Sequence, residues 1–156
     1  MKSVLGVILG YVAMFATVFI TLTGSYYLLG MERTFQPGSY NVTLLWVVVM
    51  MIFSFVAAII GGRVCRVISR NGKALIPLAA LVLVLGLVSA VATYLTAQNP
   101  VARTGDVSNQ QAMMSAQQPI WAAVALPVLG AAGVLIGGRK KHDGQPALQP
   151  TALEHQ

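Results

Sequence analysis

"VTLLWVVVMMIFSFVAAIIGG" runs from Val42 to Gly62 without one Asp, Glu, Lys, Arg or His. Crossing a hydrocarbon core as an α-helix takes about 20 apolar residues, and this stretch has that length. Three more stretches share both properties: Val4 to Gly30, Ala74 to Ala97 and Pro119 to Gly138. The composition agrees, with 56% of the 156 residues hydrophobic and 9% charged, against roughly 25% charged in a soluble domain. So few charges cannot cover a water-facing surface, and lipid must be the solvent for most of the chain. The sequence therefore predicts an all-α integral membrane protein, a four-transmembrane-helix bundle within residues 1–141. Its helices are expected at 4–30, 42–62, 74–97 and 119–138. Residues 142–156, with two prolines and little to bury, are expected to be a disordered tail.

Lys2 ahead of the first run invites a signal-peptide reading. Its apolar core far exceeds the roughly 7–15 residues of a signal h-region, and no A-x-A-like site follows. It is expected to stay as a helix. Lys2, Arg63, Arg66, Arg70, Lys73, Arg139, Lys140 and Lys141 flank one set of helix ends, and only Arg33 and Arg103 lie among the other loops. Basic loops stay on the cytoplasmic side, so both termini and the loop after helix 2 are expected there. Topology alone accounts for the net charge of +6, and a nucleic-acid partner is not expected. Cys65 is the only cysteine, so an intramolecular disulfide is ruled out.

Small residues four apart recur: Gly6 and Gly10, Ala57 and Gly61, Ala58 and Gly62, Gly133 and Gly137. Such spacing lets helix backbones approach closely, which is how membrane helices gain contact where lipid removes any hydrophobic drive between them. Four helices are expected to bury only some of these seams, leaving one for a partner helix or a second copy. "IIGGR" at Ile59–Arg63 and "LIGGR" at Leu135–Arg139 each close an apolar run opened by a tryptophan, Trp46 or Trp121. Two readings are open. One is a duplicated helical hairpin, giving two parallel repeats about an axis along the membrane normal. The other is convergence, since inward-running helices commonly start at an interfacial Trp and stop at a positive charge.

Between the spans, Pro37-Gly38 is a turn signal, because proline presets φ and glycine accepts positive φ. Tyr26 and Tyr27 suit an interfacial aromatic belt. Ser108 is placed to cap a short surface helix with Ala112, Met113 and Ala116 on its apolar side. Pro127 is expected to kink helix 4.

If helix 2 continues past Gly62, then Arg63, Arg66, Arg70 and Lys73 form a basic stripe with Val64, Val67 and Ile68 opposite. Together with Arg139, Lys140 and Lys141 this stripe suits anionic headgroups, at about 1 kcal/mol per charge near the surface, or an acidic partner. Plain positive-inside anchoring explains the same charges. Ion-coupled carriers keep a buried carboxylate or histidine for function, and the four apolar runs hold neither. Haem ligation asks for axial His or Met. His142 and His155 lie in the tail, while Met14, Met50 and Met51 suit packing. Tyr11, Thr17, Thr21, Thr23, Ser54, Ser89 and Thr93 are polar groups fit to hydrogen-bond between helices. No nucleophile–base set is visible, so no catalytic residue, metal or cofactor is expected.

The segments "FQPGSY" (Phe35 to Tyr40), "VAAIIGG" (Val56 to Gly62) and "QQPIW" (Gln117 to Trp121) resemble those of small four-helix bacterial inner-membrane proteins of unassigned function. The resemblance spans the bundle and implies a bacterial membrane, but it transfers no activity. The function expected from the residues is non-enzymatic: an accessory or scaffold subunit of a larger membrane complex. The alternatives are a passive pore for small solutes, with the hydroxyls lining a path, and an anionic-lipid-binding protein using the basic stripe.

Overall fold

A computed structural model describes residues 2–69, 72–97 and 115–139. Four helices dominate it: α1 (Lys2–Thr34), α2 (Leu44–Ser69), α3 (Leu75–Ala97) and α4 (Ile120–Gly137). Each is long and apolar enough to cross a membrane. In lipid every backbone N–H and C=O must find its partner within the chain, and helices do this segment by segment. The chain is an all-α four-helix bundle of membrane-spanning type.

α2 lies at the centre. On one side it meets α1 running the other way: Gly6 faces Cys65 and Ser69, and Gly10 faces Gly61 and Cys65. A methyl added at Gly10 would sit 2.9 Å from the Gly61 carbonyl oxygen, closer than side chains tolerate. On the other side α2 runs alongside α4, with Gly62 against Val134, Gly137 against Ile59, and Gly133 against Ala58 and Phe55. α3 packs antiparallel to α4 through Gly86 on Pro127, Val82 on Gly130 and Leu75 on Gly138. Around the bundle the order is thus α1, α2, α4, α3, and Leu78 of α3 reaches Gly10 of α1. The glycines of all four small-residue pairs face helices of this chain. The expectation of a leftover seam among them does not hold, because α2 offers a small-residue ridge on each of two faces.

Several expectations shift in detail. α2 continues through Gly61-Gly62 to Ser69, so Arg63 and Arg66 are helical while Lys73 lies in the turn beyond. The four-residue stripe is therefore cut short. Val67, four residues from Arg63 and hence on its side of the helix, is exposed rather than opposite. α1 runs on to Thr34 with a break at Gly30 (φ 74°, ψ 171°), a conformation glycine accepts without a side-chain clash. α4 stays helical through Pro127, whose buried ring seats on the flat face that Gly86 gives α3. Arg70, Lys140, Lys141, the Ser108-capped helix and the 142–156 tail fall outside the described residues.

The two Gly-Gly pairs occupy unlike places. Gly61 faces the helix before it in the chain, α1, and Gly62 faces α4. In the second copy the order is reversed: Gly137 faces α2, and Gly138 faces α3. Repeats related by a two-fold axis put equivalent residues in equivalent contacts. The contacts here favour convergence.

Candidate functional site

The bundle has two different ends. At the basic end, Arg66 is half-buried and donates from its guanidinium to the Gly138 carbonyl just past α4. That carbonyl belongs to the negative end of the α4 dipole, so a cation there both caps and neutralises it. A charge-assisted bond of this kind contributes roughly 1.5–3 kcal/mol. Arg63, Lys73 and Arg139 are exposed at the same end. Of the predicted headgroup residues, Arg66 is thus engaged internally and these three present their charge outward. Cys65 is fully buried against Gly6 and Gly10, and the nearby Ser69 hydroxyl is buried without a hydrogen-bond partner among the described residues.

The other end, the aromatic end, is built from chain segments far apart in sequence. Residues 35–42 form a tight hairpin. Ser39 N–H donates to the Gln36 carbonyl at 3.2 Å, with Pro37 and positive-φ Gly38 (69°) at its centre, the type II arrangement. Gln36 N–H then donates to the Asn41 carbonyl at 2.9 Å. The second long loop returns to pair with this hairpin: Gln117 N–H donates to the Tyr40 carbonyl at 2.9 Å, and Val42 N–H to the Gln117 carbonyl at 3.0 Å. Thr43 ties α1 to α2. Its hydroxyl donates to the Arg33 carbonyl (2.7 Å) and accepts from Trp46 N–H (3.3 Å), while its own N–H donates to the Thr34 carbonyl (2.8 Å). One residue thereby caps the start of α2 and satisfies two orphan carbonyls at the end of α1.

Beneath the hairpin sits an aromatic cluster. Tyr26 meets Phe35 edge-on at 6.3 Å and Trp46 edge-on at 6.0 Å, a geometry contributing about 0.5–1.5 kcal/mol per pair beyond burial. Tyr26 is 3% exposed and Trp46 5%, whereas Tyr27 is 74% and Trp121 54%. Only the second member of each pair stands at the bundle surface as a belt residue would. Sequence gives no means of telling the members apart, because the hairpin that covers Tyr26 and Trp46 is assembled by long-range pairing.

The cap roofs a cavity of about 250 Å³. Its walls are Leu22 and Tyr26 of α1, Trp46 and Met50 of α2, Thr93 of α3, and Gln118 of the returning segment. A second cavity of about 350 Å³ adjoins it, sharing Val42 and Gln118, and is lined also by Gln36, Asn41, Gln117, Pro119 and Ile120. Gln118 Oε1 is buried and has no hydrogen-bond partner among the described residues. An acceptor left so costs about 1–3 kcal/mol.

Four of the seven candidate polar groups do not act as expected. Thr17, Thr21, Ser89 and Thr93 each donate to the carbonyl four residues back in their own helix, at 2.7–3.0 Å. In lipid this satisfies each donor locally, leaving none of the four for a neighbouring helix. Among the described residues no three His, Cys, Asp or Glu side chains come together. No family model, no curated protein and no solved structure matches the chain.

Proposed function

We propose that this is a non-enzymatic multi-pass membrane protein, an accessory or scaffold subunit of a larger assembly. In this reading it lies in a bacterial inner membrane with both termini cytoplasmic. The observation that supports it is α1. Only 11% of its apolar window is buried, against 28% for α2, 28% for α3 and 39% for α4. Phe15 stacks on Phe19 at 6.4 Å on its exposed surface, and Gly24, half-way round the helix from Phe15, has open space where a side chain would be. A glycine offers lipid nothing to pack on, but it lets a partner backbone come close.

The test is gentle extraction of the native membrane, a native-mass measurement, and identification of co-migrating chains. A large particle with constant companions, lost in Gly24→Leu, supports the proposal. A particle of one to a few copies of this chain sinks it. Substitutions at Gly10 or Gly133 would not serve, since both lie in contacts within the chain.

The pore reading has less behind it, because the contacts of Gly62 with Val134 and Gly86 with Pro127 fill the space a path would need. The anionic-lipid reading keeps Arg63, Lys73 and Arg139. Replacing Arg63 and Lys73 by Ala should weaken binding to anionic vesicles by about 1 kcal/mol per charge.

A further inference from the structure

We propose that the paired cavities at the aromatic end bind a lipid-like amphiphile with an uncharged, hydroxyl-bearing headgroup, of the glycerol or sugar type. The cavities differ in chemistry and share a wall. The one lined by Leu22, Met50, Tyr26 and Trp46 is mainly apolar, and it is set between membrane-spanning helices. It holds about eight water volumes, enough for part of an acyl chain but not for all of one. The other, at the surface, is lined by four carboxamide-bearing residues together with Val42, Pro119 and Ile120. A carboxamide both donates and accepts, which suits hydroxyls that do the same. Among the described residues no charged side chain lines either cavity, so none of them would neutralise a phosphate there. Glu32 and Arg33, nearest along the chain, are exposed and belong to neither lining.

Gln118 sets the orientation. It belongs to both cavities, and its buried Oε1 has no hydrogen-bond partner among the described residues. Turning the Gln118 side chain toward that boundary would bring Oε1, covered here, to a ligand hydroxyl that donates to it. Its chain then passes Thr93 and Met50 toward Leu22, and its remaining hydroxyls face Gln36, Asn41 and Gln117. This goes beyond the accessory reading and does not depend on it.

The experiment uses the full chain in nanodiscs and a monoacylglycerol carrying a photoactivatable diazirine in its acyl chain. The expected result is cross-linking concentrated on the lining of α1, α2 and α3 around Leu22, Met50 and Thr93. Excess unlabelled monoacylglycerol should reduce it about tenfold, and equal phosphatidylglycerol should leave it unchanged. Gln118→Leu, which removes the acceptor, and Thr93→Phe, which fills the cavity, should each abolish the focus while elution stays that of the wild type. Should either variant fail to fold, the wild-type competition decides alone. Three results overturn the proposal: label spread along the exposed faces at Phe15 and Val88, equal competition by both lipids, or no label on the lining, as when other residues of this chain fill the space.

Discussion

The two ends of this bundle solve the problem of packing in lipid in opposite ways. At the basic end the helices touch backbone to backbone, because Gly6, Gly10, Gly61, Gly62, Gly133 and Gly137 remove the side chains between them. At the aromatic end large side chains hold the elements apart, a hydrogen-bonded hairpin roofs them, and space remains underneath. The first arrangement gives dispersion contact with little room for anything else. The second gives a container. Lipid tails are as apolar as leucine, so neither end gains from hydrophobic burial as a soluble core would. Contact geometry and satisfied hydrogen bonds carry the difference.

The comparison predicts a graded set of mutational costs, read as loss of monodisperse protein on heating in detergent. Gly137→Leu should have the largest effect, about 3 kcal/mol or more, since its new side chain meets the Ile59 backbone, which cannot rotate away. Folded protein should be nearly lost. Trp46→Ala should cost about 2–3 kcal/mol, less than in a soluble core, because lipid solvates the stranded surface. Arg66→Ala should cost about 1–2 kcal/mol, with Arg66→Lys recovering part of it. Gln118→Leu should lie within about 0.5 kcal/mol of the wild type, since removing an unpaired acceptor relieves its burial. A Gln118→Leu cost equal to that of Trp46→Ala would show that the cap, and not the cavity, depends on this residue.

The spans and the basic asymmetry were legible because length and charge alone decide them. The glycine spacings were legible as packing signals, but which helix each would meet was not. Small residues on both faces of α2 make it central, and that appears only once two neighbours compete for it. The stop of helix 2 was misplaced at Gly62 for a related reason. Gly-Gly reads as a terminator in water, whereas here it is a pair of contacts inside a helix that runs on to Ser69. At the aromatic end, Pro37-Gly38 announced its turn locally. The pairing of Tyr40 and Val42 with Gln117 could not be read, since the partners lie in different loops and two isolated bridges leave no alternating pattern. The cavity followed that pairing and was missed with it. The segments "FQPGSY" and "QQPIW", singled out separately, prove to be the two halves of one cap.

The contrast between a closed end and an open one can be tested with Cys65, which is the only cysteine and is fully buried beneath Gly6 and Gly10. The measurement is the rate at which a small membrane-permeant thiol reagent modifies it in folded protein. The comparison is a Cys65→Ser, Thr93→Cys variant, which carries its thiol in the cavity lining. The account predicts that the variant reacts to completion while Cys65 stays unmodified until the protein is denatured. Equal rates at the two positions would contradict it.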